Sequence, residues 1–246
     1  MNRRRARRNP LLRLRPFWIA IVLAGIGGAV GLFYAAQWEG FRVKRIDVTG
    51  TNVVSREEVL QRAAIDPAVN LWLQSMGAAA NRIREIPYVK SVAIRRRLPA
   101  TAEIEITERE PFAIVAASGA PRLLVDADLR VLETETRRRA LPVLIAVEPR
   151  DVSAGTFLSD PKSRALLNDY AVLRENHVEP QLLRFDSLGD LSIVLPPAIA
   201  VQLGDDQNLG EKAALIDPIL SQTQAQGRRV ARLDLRAPKT PVIVFR

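Results

Sequence analysis

Few side chains in this sequence could do chemistry. It has one histidine, His177, and no cysteine, which excludes disulfides, thiolate nucleophiles and cysteine-ligated metals. His177 lies in R-E-N-H-V-E-P at the end of an apolar-periodic segment. A cation there complements the negative end of a helix dipole, so a cap or surface role is expected rather than general-base work. Asp126 and Asp128 have the look of a carboxylate pair, and two carboxylates suffice for hydrolysis. They sit between short apolar runs beside Leu129 and Arg130, where aspartates bond neighbouring backbone amides and make a β-turn. Glu103 and Glu105 alternate with apolar residues as the wet face of a strand, and Glu108 and Glu110 read as charges at its end. G-x-S-x-G, P-loop, H-E-x-x-H and G-x-G-x-x-G motifs are absent. The expectation is a non-enzyme, with no catalytic residue, metal, cofactor or small-molecule substrate.

The elements that would position any site begin with residues 1–16, which hold seven arginines and no acid. Residues 17–38, FWIAIVLAGIGGAVGLFYAAQW, contain Gln37 as their one strongly polar side chain. As a helix they measure roughly 33 Å, enough to cross a hydrocarbon core of about 30 Å. Phe17, Trp18, Phe33, Tyr34 and Trp38 lie near the ends, where aromatic rings prefer the headgroup level. A cleaved signal peptide is the competing reading, but the run is too long and lacks a clean Ala-x-Ala site. The basic tail keeps the N-terminus cytoplasmic and places everything after Trp38 on the other side. The formal charge of +9 falls to +2 over the remaining 230 residues. The tail is therefore assigned to topology and anionic lipid rather than nucleic acid.

Residues 42–109 read as one small domain. FRVKRIDVTG is a strand stopped at Gly50, and Ser55 with Glu58 has the spacing of a capping box. A helix from Ser55 to Ala63 follows, broken at Asp66-Pro67, and a second is expected from near Asn70 to Pro87, burying Met76, Ala80, Ile83 and Ile86. VKSVAIRRR and TAEIEITERE then form a hairpin around Leu98-Pro99-Ala100, with Ala102, Ile104 and Ile106 facing the core. The order is βααββ.

Residues 110–246 read as a mixed β-sheet domain with two covering helices. FAIVA, RLLVDADLRVL and LPVLIAV suggest hairpins. SDPKSRALLNDYAVLRENH, from Ser159, is a helix. LLRF, LSIVLP and IAVQLG are strands, and a second helix runs from a cap near Asn208 to Gly227, kinked at Pro218. VARLDLR and PVIVFR close the chain. The fold class is α+β: transmembrane helix, βααββ domain, then the mixed sheet.

Four motifs in order carry a resemblance. They are V-x-x-I-x-V-x-G at Val43, Ile46, Val48 and Gly50; I-P-x-V at Ile86, Pro87 and Val89; R-x-L-P-A-T at Arg96 to Thr101; and E-R-x-P-F-A at Glu108 to Ala113. The series resembles the polypeptide-transport-associated (POTRA) domain of the FtsQ/DivIB family of bacterial cell-division proteins. An L-V-D-x-x-G-x-V-L segment without its usual glycine and an I-x-L-G, helix, L-D-L-R, strand series at Ala200 to Arg236 are similar to that family's β-domain.

The resemblance implies a bitopic inner-membrane scaffold with a periplasmic C-terminal part, concentrated at the division septum and linking early to late division proteins. It also implies FtsB and FtsL as partners, bound along the C-terminal edge strand. Physics offers the same mode, because Val242 to Phe245 is an apolar run with no internal charge, able to accept a partner strand if it lies at a sheet edge. The expected contact residues are Arg236, Val242, Val244 and Phe245. Ala237 stands where relatives carry tyrosine, which would weaken any contact there. Two other classes remain: a membrane-anchored periplasmic hydrolase, expected to show a pocket of convergent carboxylates, and a POTRA-type translocation component, expected to continue into a membrane barrel. The three-arginine runs 95–97 and 137–139 read as a solvated strand end and a loop.

Overall fold

The computed structural model of the 246-residue protein describes residues 11–37, 39–137, 139–145 and 152–246. Most of the basic tail, Trp38 and Arg138 lie outside the described residues. The first helix, α1, is Leu11–Gln37, and a short 3-10 turn at Glu39–Phe41 follows. Among the described residues no helix is long and apolar enough to cross a membrane.

The described chain divides into two compact units, residues 1–83 with 91–107 and residues 84–90 with 108–246. The first unit contains β1 (Arg45–Thr49), α2 (Arg56–Ala63), α3 (Met76–Arg84), β2 (Val89–Arg97) and β3 (Thr101–Glu108), the terminal residues of the last three belonging to the second unit. The sheet order is β1-β3-β2, with β1 parallel to β3 in the register Arg45↔Thr101 to Thr49↔Glu105. Ser55 caps α2 by accepting from the Glu58 N–H at 3.1 Å. On β3 the expected alternation holds: Ala102, Ile104 and Ile106 are buried.

The second helix starts later than the periodicity predicts. Residues 66–75 form a closed loop in which Gln74 accepts from the Asp66 N–H at 2.8 Å and donates to the carbonyls of Asp66 and Val69. Side-chain bonds from Asn70 and Gln74 satisfy the backbone that helical bonding would have used. α3 therefore begins at Met76, and Ile86 is buried beyond its end.

The second unit is built on β4 (Ala113–Ala116), β5 (Leu123–Val125), β6 (Val131–Thr134), β7 (Val143–Ile145), β8 (Leu182–Phe185), β9 (Leu191–Leu195), β10 (Ile199–Gly204), β11 (Val230–Asp234) and β12 (Val242–Phe245). Its helices are α4 (Pro161–Glu175) and α5 (Leu209–Ala225). The strands form one sheet in the order β12-β11-β10-β9-β8-β7-β4-β5-β6. The expected hairpins form between β4 and β5 and between β5 and β6, both antiparallel, while β7 joins the other side of β4 as a parallel strand. β7 to β8 and β10 to β11 are also parallel, each crossover supplied by one helix. Leu166, Leu167, Tyr170 and Leu173 of α4 and Leu209, Ala213 and Ile216 of α5 join Leu144, Leu183, Ile193, Val201 and Leu233 of the sheet in one core.

α4 is capped by Asp160, whose carboxylate accepts from the Ser163 N–H at 2.8 Å. The start of α5 differs from expectation: Asn208 has φ 55° and makes no side-chain cap bond, and the helix continues through Pro218.

Asp169 on α4 is buried, and its Oδ2 has no hydrogen-bond partner among the described residues. Burial, and then the charge of Asp206, push its carboxyl from 3.8 up to about 6. The folded state thus holds this proton more tightly than the unfolded chain does. The penalty is absent below the unfolded pKa, grows between the two values and is complete above the folded one. Asp169→Asn is expected to stabilise the fold by about 2 kcal/mol near pH 8 and hardly at all near pH 4. Denaturant midpoints of both proteins at the two pH values check this; a gap independent of pH contradicts it.

Candidate functional site

The residues with chemical potential fall into three places. The first is the turn between β5 and β6. One Asp126 carboxylate oxygen, Oδ1, accepts from the N–H groups of Asp128 at 3.0 Å and Arg130 at 2.8 Å, closing the expected turn. Leu129 takes the left-handed conformation there, φ 63°, in place of a glycine. The other oxygen accepts from Arg109 Nη1, which also donates to Asp128 at 2.9 Å. Arg130 donates through Nη2 to the carbonyls of Arg84 at 2.9 Å and of Glu85 and Ile86 at 3.4 Å, while Arg109 Nε donates to Val89 at 3.3 Å. Both guanidinium groups face the Phe157 ring, at 5.5 and 5.4 Å. Burial and the neighbouring Arg109 lower the Arg130 pKa, with Asp126 opposing them. Both carboxylates are held by one guanidinium in this knot of ion pairs, an arrangement that fastens a turn and offers no general acid.

A second place is the wet face of the first unit's sheet. Asp47, Thr49, Ala93, Arg95, Glu103 and Glu105 line an open concavity of about 240 Å³. Arg97 pairs with Glu103 at 2.8 Å and Arg95 approaches Glu105 at 3.9 Å, so cross-strand ion pairs account for this face. Among the described residues no group of three or more His, Cys, Asp or Glu side chains could hold a metal. His177 is exposed, with φ 61°, one residue past the C-cap of α4, and its N–H donates to the Arg174 carbonyl at 3.0 Å. That is a chain-reversal position.

The third place is β12. It is an edge of the nine-stranded sheet, paired on one side only, with β11, in the register Asp234↔Val242, Leu233↔Ile243, Arg232↔Val244 and Val230↔Phe245. Ile243 packs against the helix-covered core, so Val242 and Val244 lie on the opposite face, 58 and 48% exposed. Phe245 shares the Ile243 side and is half-buried beneath the Arg228 guanidinium at 4.5 Å. Arg236 stands in the β11–β12 turn, donating to Asp234 at 2.6 and 3.0 Å. Its hydrogen bonds hold the Asp234 carboxyl below the usual range. Of the four residues singled out in the sequence, then, Val242 and Val244 share one exposed face, Phe245 points to the other, and Arg236 fixes the turn.

The opposite edge is better covered. β6 is flanked by residues 155–158, with bonds from Val131 N–H to the Thr156 carbonyl and from Gly155 N–H to the Val131 carbonyl, each 2.8 Å. The Arg109–Asp126–Arg130–Phe157 knot was not foreseen; the E-R-x-P-F-A motif contains Arg109, but nothing in spacing joins it to Phe157.

Residues 41–109 match the family described as POTRA domain, FtsQ-type. Along most of its length the chain is similar to proteins named cell division protein FtsQ. The one from Corynebacterium glutamicum is 27% identical over 207 residues, covering 83% of this chain and 88% of the relative. The one from Streptomyces venezuelae is 28% identical, covering 89 and 80%, and that from Anaeromyxobacter sp. is 26% identical, covering 98 and 86%.

Proposed function

The chain belongs to the FtsQ family of cell-division proteins, which are non-enzymatic scaffolds, and on that premise we propose that it binds the FtsB/FtsL pair by accepting a partner strand along β12. The observation that carries this reading is a four-residue apolar strand at a sheet edge, with Val242 and Val244 exposed on one face and no charge within it. Such an edge offers unpaired backbone N–H and C=O groups, and proteins blunt these when they have no partner. The β6 edge is flanked by its own chain; β12 has no such cover among the described residues. Docking by main-chain bonds would take affinity from the backbone and specificity from alternate side chains. Arg236 would act by holding the turn, through Asp234, and Phe245 by stiffening the strand against Arg228.

On this reading the two units lie in the periplasm, anchored by α1 across the inner membrane with the arginine-rich tail in the cytoplasm. What supports it is a helix of 27 residues, about 40 Å at 1.5 Å per residue, whose Trp18, Ile19, Ile21, Val22, Leu23, Ile26, Val30 and Phe33 are exposed. The protein would then work at the septum by mass action, holding FtsB/FtsL between early and late division proteins. The carboxylates that a hydrolase would need are engaged by Arg109.

The test is the affinity of the full chain in lipid nanodiscs for a soluble FtsB/FtsL pair. Val244→Lys puts a charge where a partner would bury a valine and is expected to weaken binding about tenfold or more. Glu57→Lys, on the exposed surface of α2, should leave binding unchanged. Equal affinity for wild type and Val244→Lys removes β12 as the site.

A further inference from the structure

Three segments meet at one end of the first unit. The chain arriving from α1 bonds the 66–75 loop directly: the Leu71 N–H donates to the Phe41 carbonyl at 2.9 Å, and Arg42 and Asn70 form an antiparallel bridge. The Lys44 N–H donates to the Ala100 carbonyl at 2.9 Å, and Arg45 is opposite Thr101, which puts the Leu98-Pro99 hairpin tip at the same end. Arg96, at the finish of β2, ties the tip to the loop by donating to the carbonyls of Leu71 at 3.0 Å and Gln74 at 2.7 Å.

These segments display large apolar side chains to solvent: Leu73 and Leu98 are each 67% exposed, Trp72 47% and Val69 38%. The loop is not slack. Asn70 accepts from the Trp72 N–H at 2.8 Å, Gln74 closes the loop, and the Arg96 guanidinium lies 5.6 Å from the Trp72 ring. An apolar cluster pre-ordered in this way needs a partner surface to be worth its exposure.

We propose that this end of the first unit is an interfacial membrane contact, with Trp72, Leu73 and Leu98 seated at the headgroup level of the bilayer and Lys44 and Arg96 facing anionic headgroups. It rests on the reading that α1 spans the membrane. Three residues lie between Gln37, the end of α1, and Phe41, a span of at most about 14 Å of extended chain. Phe41, bonded to the loop that carries Trp72 and Leu73, is therefore tethered within that reach of the end of α1. A tryptophan in the loop with Lys44 and Arg96 on the adjoining segments matches the chemistry of that zone. The contact would add two further points of attachment to a unit otherwise held by a single chain crossing.

Three tryptophans are present, at 18, 38 and 72, so the full chain with Trp18→Phe and Trp38→Phe reports on Trp72 alone. It is reconstituted into phosphatidylcholine and phosphatidylglycerol vesicles carrying brominated acyl chains. The expected result is blue-shifted emission, quenched more by bromines near the headgroup, the depth of about 5–10 Å where interfacial side chains lie, than by bromines deep in the chains. Leu73→Lys with Leu98→Lys should cut that quenching while the far-ultraviolet dichroism is kept. Aqueous emission open to acrylamide and indifferent to bromine overturns the proposal, as does emission shielded from both quenchers, which would mean a second copy covers the tip. Release of the chain by alkaline carbonate would instead remove the α1 premise, and the contact with it.

Discussion

Asp126→Ala is expected to destabilise the second unit by about 3–5 kcal/mol, the cost of stranding buried charge. The Asp126 and Arg109 side chains are only 6 and 9% exposed, and Arg130 is buried with its Nε unpartnered among the described residues. Removing the carboxylate leaves two neighbouring guanidinium groups to repel one another and opens the turn that Oδ1 closes with the N–H groups of Asp128 and Arg130. Asp128 is the internal control: it meets the same Arg109 Nη1 but is 57% exposed, so Asp128→Ala should cost no more than about 1 kcal/mol. Hydrogen exchange of the β5 and β6 amides under native conditions measures both locally. Equal losses in the two variants would mean that the ion pair, although buried, is not what fastens this turn.

Gly50→Ala should cost the first unit about 3 kcal/mol, combining backbone strain with a collision. Gly50 has φ 81°, and a Cβ there would stand 1.9 Å from the carbonyl oxygen of Ile106. That carbonyl belongs to β3, the central strand, so it can yield only by moving the sheet. Gly119 separates the two causes, having φ 76° but nothing within 4 Å of its Cβ; Gly119→Ala should cost only about 1 kcal/mol. Trp72 fluorescence reports unfolding of the first unit for Gly50→Ala, and exchange of the β4 and β5 amides reports Gly119→Ala. A Gly50→Ala cost no larger than that of Gly119→Ala would contradict the close approach.

What was legible in the sequence was local. Ser55 with Glu58 marked a helix start, alternation at Ala102, Ile104 and Ile106 marked a buried strand face, and Gly50 marked a turn, because each signal acts within a few residues of chain. The 66–75 loop misled because Leu71, Trp72 and Leu73 continue the apolar pattern of a helix; side-chain bonds from Asn70 and Gln74, invisible to periodicity, won the backbone instead. Asn208 has the right residue type for a cap, but its backbone is left-handed and its side chain makes no cap bond. The parallel pairings of β4 with β7 and of β10 with β11 depend on which distant strands meet, and no local pattern encodes that. For the same reason the candidate contact strand could be found from its apolar run, while the assignment of Val242 and Val244 to one face and Phe245 to the other required the register with β11.

The central claim, that β12 receives a partner strand, is tested most directly by amide hydrogen exchange on the full chain with and without the FtsB/FtsL pair. The account predicts slowed exchange within residues 242–245 on complex formation and little change along β6, whose edge is already flanked by residues 155–158. Protection confined to the first unit, with β12 exchanging as fast in the complex as alone, would contradict it.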